Sequence, residues 1–163
     1  LERRRNRIAA ALVHLLCDEL PCASRPGPSF ALLLQLLDAF ATSGEVDQQR
    51  IYVVGFSMGG SAALQLALAR PQLIAGMAVF GPVPPTRDRA AELRRTPLLV
   101  VHGNGDTENP FAVMRPWMEK LKAVGGQGRL LVRTGMQHQI PDDMLVDKGW
   151  RRRLLKGRLD ARP

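Results

Sequence analysis

The chain is 163 residues long and 45% apolar, enough to build one core and one domain. No run of about 18 apolar residues occurs, so no membrane-spanning helix is expected. The net charge of +8 sits at the ends: residues 1–7 and 148–163 hold 11 of the 23 basic residues and, among the acids, only Glu2 and Asp160. With Trp150 as the one aromatic there, these read as solvated tails and not as a nucleic-acid footprint.

An apolar run, Ile8 to Leu16, follows the basic start. No small-x-small cleavage site comes after it, which argues against a signal peptide. Ile8, Leu12, Leu15 and Leu16 fit a helical stripe, yet residues 11–16 also suit a buried strand, and periodicity does not separate the two. His14 within the run reads as a core histidine. Cys17 and Cys22, spaced C-x4-C, match neither a zinc pattern nor a C-x-x-C redox motif. Free thiols are expected, with one local disulfide as the alternative.

Residues 24–28 form a loop by their Pro and Gly content. Ser29 is expected to cap a helix over residues 30–42 with Leu32, Leu33, Leu36, Leu37 and Phe40 on its buried face. Residues 51–54 are a β-branched strand, apolar on both faces, which implies a parallel sheet covered on both sides. Gly55, Phe56, Ser57, Met58 and Gly59 then read G-x-S-x-G between this strand and a helix over residues 58–70. That context marks a sharp turn lifting the Ser57 hydroxyl clear of the sheet. Ala62, Ala63, Leu66 and Ala67 should face inward, and Pro71 ends the helix.

Residues 73–80 form a second buried strand, followed by a rigid Gly-Pro loop at 81–85 and a short helix at 90–94. A third strand covers residues 98–101, and residues 102–106 leave its carboxyl end. A helix at 110–124 should bury Val113, Trp117, Leu121 and Val124. A fourth strand spans 129–133, and the loop 135–141 carries His138. Pro141 or Asp142 starts a last helix, with Leu145, Trp150 and Leu154 as anchors and Gly149 as a weak point.

A serine hydroxyl near neutral pH needs a base to take its proton and a carboxylate to orient that base. In an open parallel sheet such groups gather outside the carboxyl ends of the strands. Ser57, Asp106 and His138 follow three different strands there and are of the required types. Their expected roles are nucleophile, acid and base. Glu108, Asp142 and Asp143 are rival acids; the last two suit a helix N-terminus. His102 should support its loop. The Met58 backbone N–H is the first oxyanion donor; the second is unassigned, with residues 24–28 as a candidate source.

These residues resemble the α/β-hydrolase superfamily, in particular its dienelactone-hydrolase, phospholipase/carboxylesterase and prolyl-oligopeptidase-like branches. Residues 46–60 are similar to the family's approach to its nucleophile, residues 98–106 to its acid turn, and residues 135–141 to its histidine loop. The resemblance covers about residues 30–146 and implies a three-layer α/β fold with about four clear parallel strands, lacking the family's amino-terminal strands. It implies a serine carboxylesterase on small-molecule esters, working through an acyl-enzyme without metal or organic cofactor, and a reduced scaffold with little room for a lid or a deep acyl tunnel favours short-chain esters. A serine peptidase of the same fold, or an inactive unit serving in binding or assembly, is the alternative. Asn109 departs from the family pattern, in which an apolar residue precedes the proline. With the earlier strands missing, strand 51–54 would have one open edge, an invitation to pair with another chain. Either residues 8–16 cover that edge or the protein forms a homo-oligomer through it.

Overall fold

The computed structural model of the protein describes residues 9–12, 28–85 and 89–157. Among these, strands β1 (Ala9–Leu12), β2 (Ile51–Phe56), β3 (Ile74–Phe80), β4 (Leu98–Gly103) and β5 (Gly128–Arg133) form one parallel sheet in chain order. The four strands expected from the sequence are present. The ambiguous amino-terminal run supplies the fifth. Ala9 lies opposite Ile51 and Leu12 opposite Val54, so β2 is paired on both sides and the edge expected to be open is covered. His14, Cys17 and Cys22 lie outside the described residues.

Burial on both faces explains the apolar strands. All seven residues of β3 are buried, and polar side chains there would face no water on either side. One face of the sheet carries α1 (Pro28–Thr42), α2 (Met58–Ala69) and α3 (Phe111–Ala123). There Leu33 and Leu37, Ala63 and Leu66, and Met114 and Trp117 share a core with Met77, Val79 and Val100. The other face carries α4 (Asp142–Val146) and α5 (Gly149–Leu154). Met144 and Trp150 pack there against Ala78, Phe80 and Val101. The result is three layers. No helix among the described residues is long and apolar enough to cross a membrane.

Several helical details differ from expectation. Helix α1 starts at Pro28, before Ser29, because proline suits the first turn of a helix, where no N–H is needed. Its apolar stripe is wider than the core beneath it. Phe30, Leu33, Leu37 and Ala41 are buried, while Leu32, Leu36 and Phe40 are 65%, 52% and 47% exposed. In α3 Trp117 and Leu121 are buried as expected and Met114 and Met118 join them, while Val113 and Val124 are exposed. The last helix is two: Asp147 interrupts it and accepts the Gly149 N–H at 2.7 Å. That break leaves Leu145 exposed and makes Met144 the anchor beside Trp150. Trp150 Nε1–H donates to the Met144 carbonyl at 2.9 Å, satisfying the indole in its buried position.

Tyr52 ties α5 to the centre of the sheet. Its side chain is buried, and its hydroxyl proton is shared between the carbonyls of Leu155 at 2.9 Å and Gly157 at 2.6 Å. Tyr52→Phe should cost about 1–2 kcal/mol, because two carbonyls lose their donor while packing is kept. Urea unfolding checks this, and an unchanged midpoint would mean that the carbonyls find other partners.

Candidate active site

Three loops leave the carboxyl ends of β2, β4 and β5 and bring Ser57, Asp106 and His138 together. Ser57 sits between β2 and α2 with φ 54 and ψ −122, a conformation that costs a non-glycine residue about 1–3 kcal/mol. Local bonds hold it there. Its N–H donates to the Phe80 carbonyl at 2.8 Å, and its carbonyl accepts the Ser61 N–H at 3.0 Å. Ser61 Oγ also accepts the Val83 N–H at 2.9 Å, so the same helical turn fastens the loop after β3. The turn needs glycine at position 55, where a Cβ would overlap the Gly59 carbonyl.

Asp106 has a side chain only 1% exposed, yet each of its oxygens is satisfied. Oδ1 accepts the N–H groups of Glu108 at 3.0 Å and Asn109 at 2.8 Å. Oδ2 accepts from His138 Nδ1 at 2.7 Å. A carboxylate can only accept here, so His138 carries its proton on Nδ1 and leaves Nε2 free to accept. Ser57 Oγ lies 2.7 Å from that Nε2 and donates to it. The imidazole is 8% exposed and is flanked by the Phe56 ring, with centroids 4.9 Å apart. Burial works against ionising Asp106. The hydrogen bond from His138, the Asn109 N–H and the nearby His138 and His102 rings outweigh it, and the carboxyl sits below its usual range. A hydroxyl aimed at an unprotonated imidazole nitrogen, with a carboxylate behind the ring, can be activated as a nucleophile.

The acid turn and the histidine loop are knitted together. Asn104 Oδ1 accepts the Gly135 N–H at 2.7 Å, and the Gly105 N–H donates to the Met136 carbonyl at 3.1 Å. Arg133 and Asp143 pair across the base of the histidine loop.

The rival acids stand elsewhere. Glu108 gives its backbone N–H to Asp106, and its own carboxylate is 73% exposed, 3.8 Å from His138 Nε2. Asp142 and Asp143 occupy the first turn of α4. His102 is buried behind the acid turn. Met58 is the first residue of α2, directly after Ser57. Residues 24–27, the candidate source of a second oxyanion donor, lie outside the described residues, and Pro28 has no N–H to offer. Sequence reading passed over Ser61 and Gly81. Serine in a helix and glycine in a Gly-Pro loop carry no signal of the partners they meet.

Residues 26–148 match the model of the phospholipase/carboxylesterase family. The chain is 28% identical over 108 residues to the Arabidopsis thaliana protein named probable carboxylesterase SOBER1-like, covering 63% of this chain and 41% of that one. It is 36% identical over 89 residues to bis(hydroxyethyl) terephthalate hydrolase of Streptomyces coelicolor, covering 55% of this chain and 28% of the relative. The chain therefore spans less than half the length of either relative. Among solved structures it is similar in fold to Arabidopsis thaliana SOBER1, with a TM-score of 0.66, 22% identity, and coverage of 78% of this chain and 61% of that one.

The depressed Asp106 carboxyl has a consequence for stability. A folded-state value below the unfolded one stabilises the protein above about pH 4 and loses that contribution as pH falls through the folded value. The stability difference between wild type and Asp106→Asn should therefore shrink as pH drops from about 5 towards 3. Chemical unfolding at several pH values measures it, and a constant difference would contradict the assignment.

Proposed function

The chain belongs to the phospholipase/carboxylesterase family, within the α/β-hydrolase superfamily, and from that premise we propose that it is a serine carboxylesterase acting on short-chain esters. The observation that carries the reading is the continuous hydrogen-bonded line from Asp106 Oδ2 through His138 to Ser57 Oγ, 2.7 Å at each step.

The reaction follows from that line. Ser57 Oγ attacks the ester carbonyl as its proton passes to His138 Nε2. Asp106 stabilises the imidazolium so formed through Nδ1–H. The Met58 N–H faces the charge that develops on the carbonyl oxygen. Collapse of the tetrahedral intermediate expels the alcohol, which takes the proton from His138, and leaves an acyl group on Ser57. Water then attacks the acyl group as its proton passes to His138 Nε2, and the second tetrahedral intermediate collapses with cleavage of the bond to Ser57 Oγ, which takes that proton back as the carboxylic acid leaves. Each step uses only protons and electron pairs that the three side chains and the water supply.

The substrate class rests on the family and on the relatives' names, one a probable carboxylesterase and the other a bis(hydroxyethyl) terephthalate hydrolase. The strands of the described residues share a single sheet, which supports reading the chain as one domain. In the alternative, a binding unit of the same fold, Ser57 would have no turnover to lose.

Hydrolysis of p-nitrophenyl acetate by the wild-type chain should fall by roughly a thousandfold or more in Ser57→Ala, because the nucleophile and its proton relay act as a unit. Activity that survives the substitution would overturn Ser57 as the nucleophile, and activity absent from the folded wild type would overturn the reading in favour of the binding unit.

A further inference from the structure

Asn109 is the residue at which the sequence departs from the family pattern, and the structure gives it three partners on three segments. Its backbone N–H donates to Asp106 Oδ1 at 2.8 Å. Its carbonyl accepts from His102 Nε2 at 2.8 Å. Its side-chain Nδ2 donates to the Gly81 carbonyl at 2.6 Å. An apolar side chain could keep the first two bonds but not the third.

The third bond ends at a sensitive place. Gly81 has φ +53, and its Cα lies so near the site that an added Cβ would stand 3.3 Å from Asp106 Oδ2 and from the His138 ring. The backbone at Gly81 is therefore the wall against which the Asp106–His138 pair rests. Its N–H is held by the Val101 carbonyl at 2.9 Å, and its carbonyl is held by Asn109. The amide thus joins the acid turn to the wall.

His102 completes the arrangement from behind. It is fully buried, packed edge-on against Phe111. A carbonyl can only accept, so the bond to Asn109 places a proton on Nε2. That same N–H lies 3.4 Å from Asp106 Oδ2. Among the described residues its Nδ1 has no hydrogen-bond partner. A buried nitrogen left without a partner costs stability. The ring is better explained by what its other nitrogen holds than by packing, which an apolar residue would serve without that cost.

We propose that Asn109, backed by His102, is a positioning residue that clamps the acid turn to Gly81 and so holds Asp106 and His138 in register with Ser57. The inference rests on the serine-hydrolase reading above. It assigns Asn109 and His102 no contact with substrate. Their effect is on the geometry of the relay, so it falls on kcat and leaves substrate binding alone.

The test uses the full chain with Asn109→Ala, Asn109→Leu, His102→Leu and His102→Gln, each checked for folding by circular dichroism. Two quantities are read: kcat and KM on p-nitrophenyl acetate, and the low-field proton resonance of the His138 Nδ1–H. In Asn109→Ala, Asn109→Leu and His102→Leu, kcat should fall on the order of tenfold or more, as small misplacements of reacting groups do. KM should stay within about twofold, and the resonance should shift or broaden. His102→Gln keeps an N–H that can reach the Asn109 carbonyl and should recover most of the loss. Wild-type kcat and resonance in Asn109→Ala would overturn the proposal, as would His102→Gln faring no better than His102→Leu. Should His102→Leu fail to fold, the two Asn109 variants decide. Should the wild type hydrolyse no ester, the hydrolase reading fails on its own, and the resonance alone decides the clamp by the same criteria.

Discussion

Parallel pairing of β2, β3, β4 and β5 is the constraint on which the rest depends. Because the strands run the same way, the loops after residues 56, 80, 103 and 133 all emerge at one edge. Phe56 stands opposite Phe80, Phe80 is paired through Val101, and Gly103 stands opposite Arg133. Ser57 and Gly81 therefore begin their loops level, and Asn104 and Thr134 begin theirs two residues further along the same edge. That alignment lets short side chains meet across 81 positions of sequence without a long, floppy connection. It also supports the strained backbone of Ser57, whose N–H continues the ladder from β2 to the Phe80 carbonyl.

Electrostatics then select one carboxylate among several. Glu108, Asp142 and Asp143 are all exposed, and Asp143 pairs with Arg133. Asp106 alone is enclosed and meets donors at both oxygens. An enclosed charge is expensive unless its hydrogen bonds are complete. The completeness of its shell also fixes the carboxylate in one rotamer, and through it the ring of His138. Fixing the ring matters more than the attraction itself, because an imidazole turned the other way would offer Ser57 an N–H where it needs an acceptor.

Much of this was legible in the sequence. The G-x-S-x-G turn, the β-branched runs and the Gly-Asp turn announce themselves through local chemistry: tight turns need glycine, and strands buried on both faces need Val, Ile and Leu. Other features were not readable. The run 8–16 is apolar in both periods, and only its pairing with residues 51–54 decides for a strand over residues 9–12. Helix α1 has more leucine than the sheet can cover, so its pattern could not say which side faces inward. Breakage of the last helix at Asp147 exchanged Leu145 for Met144 as anchor. Asn109 looked like a departure because its amide acts across 28 residues, on a carbonyl that no spacing rule connects to it.

The central claim is that Ser57 is acylated during turnover. Rapid acid quench of the protein with a slowly deacylating aryl ester, followed by digestion and mass spectrometry, tests it most directly. The account predicts one acyl group, transient and carried on Ser57 alone. Hydrolysis that proceeds with no acylated serine at any quench time, or with the acyl group on another residue, would contradict it.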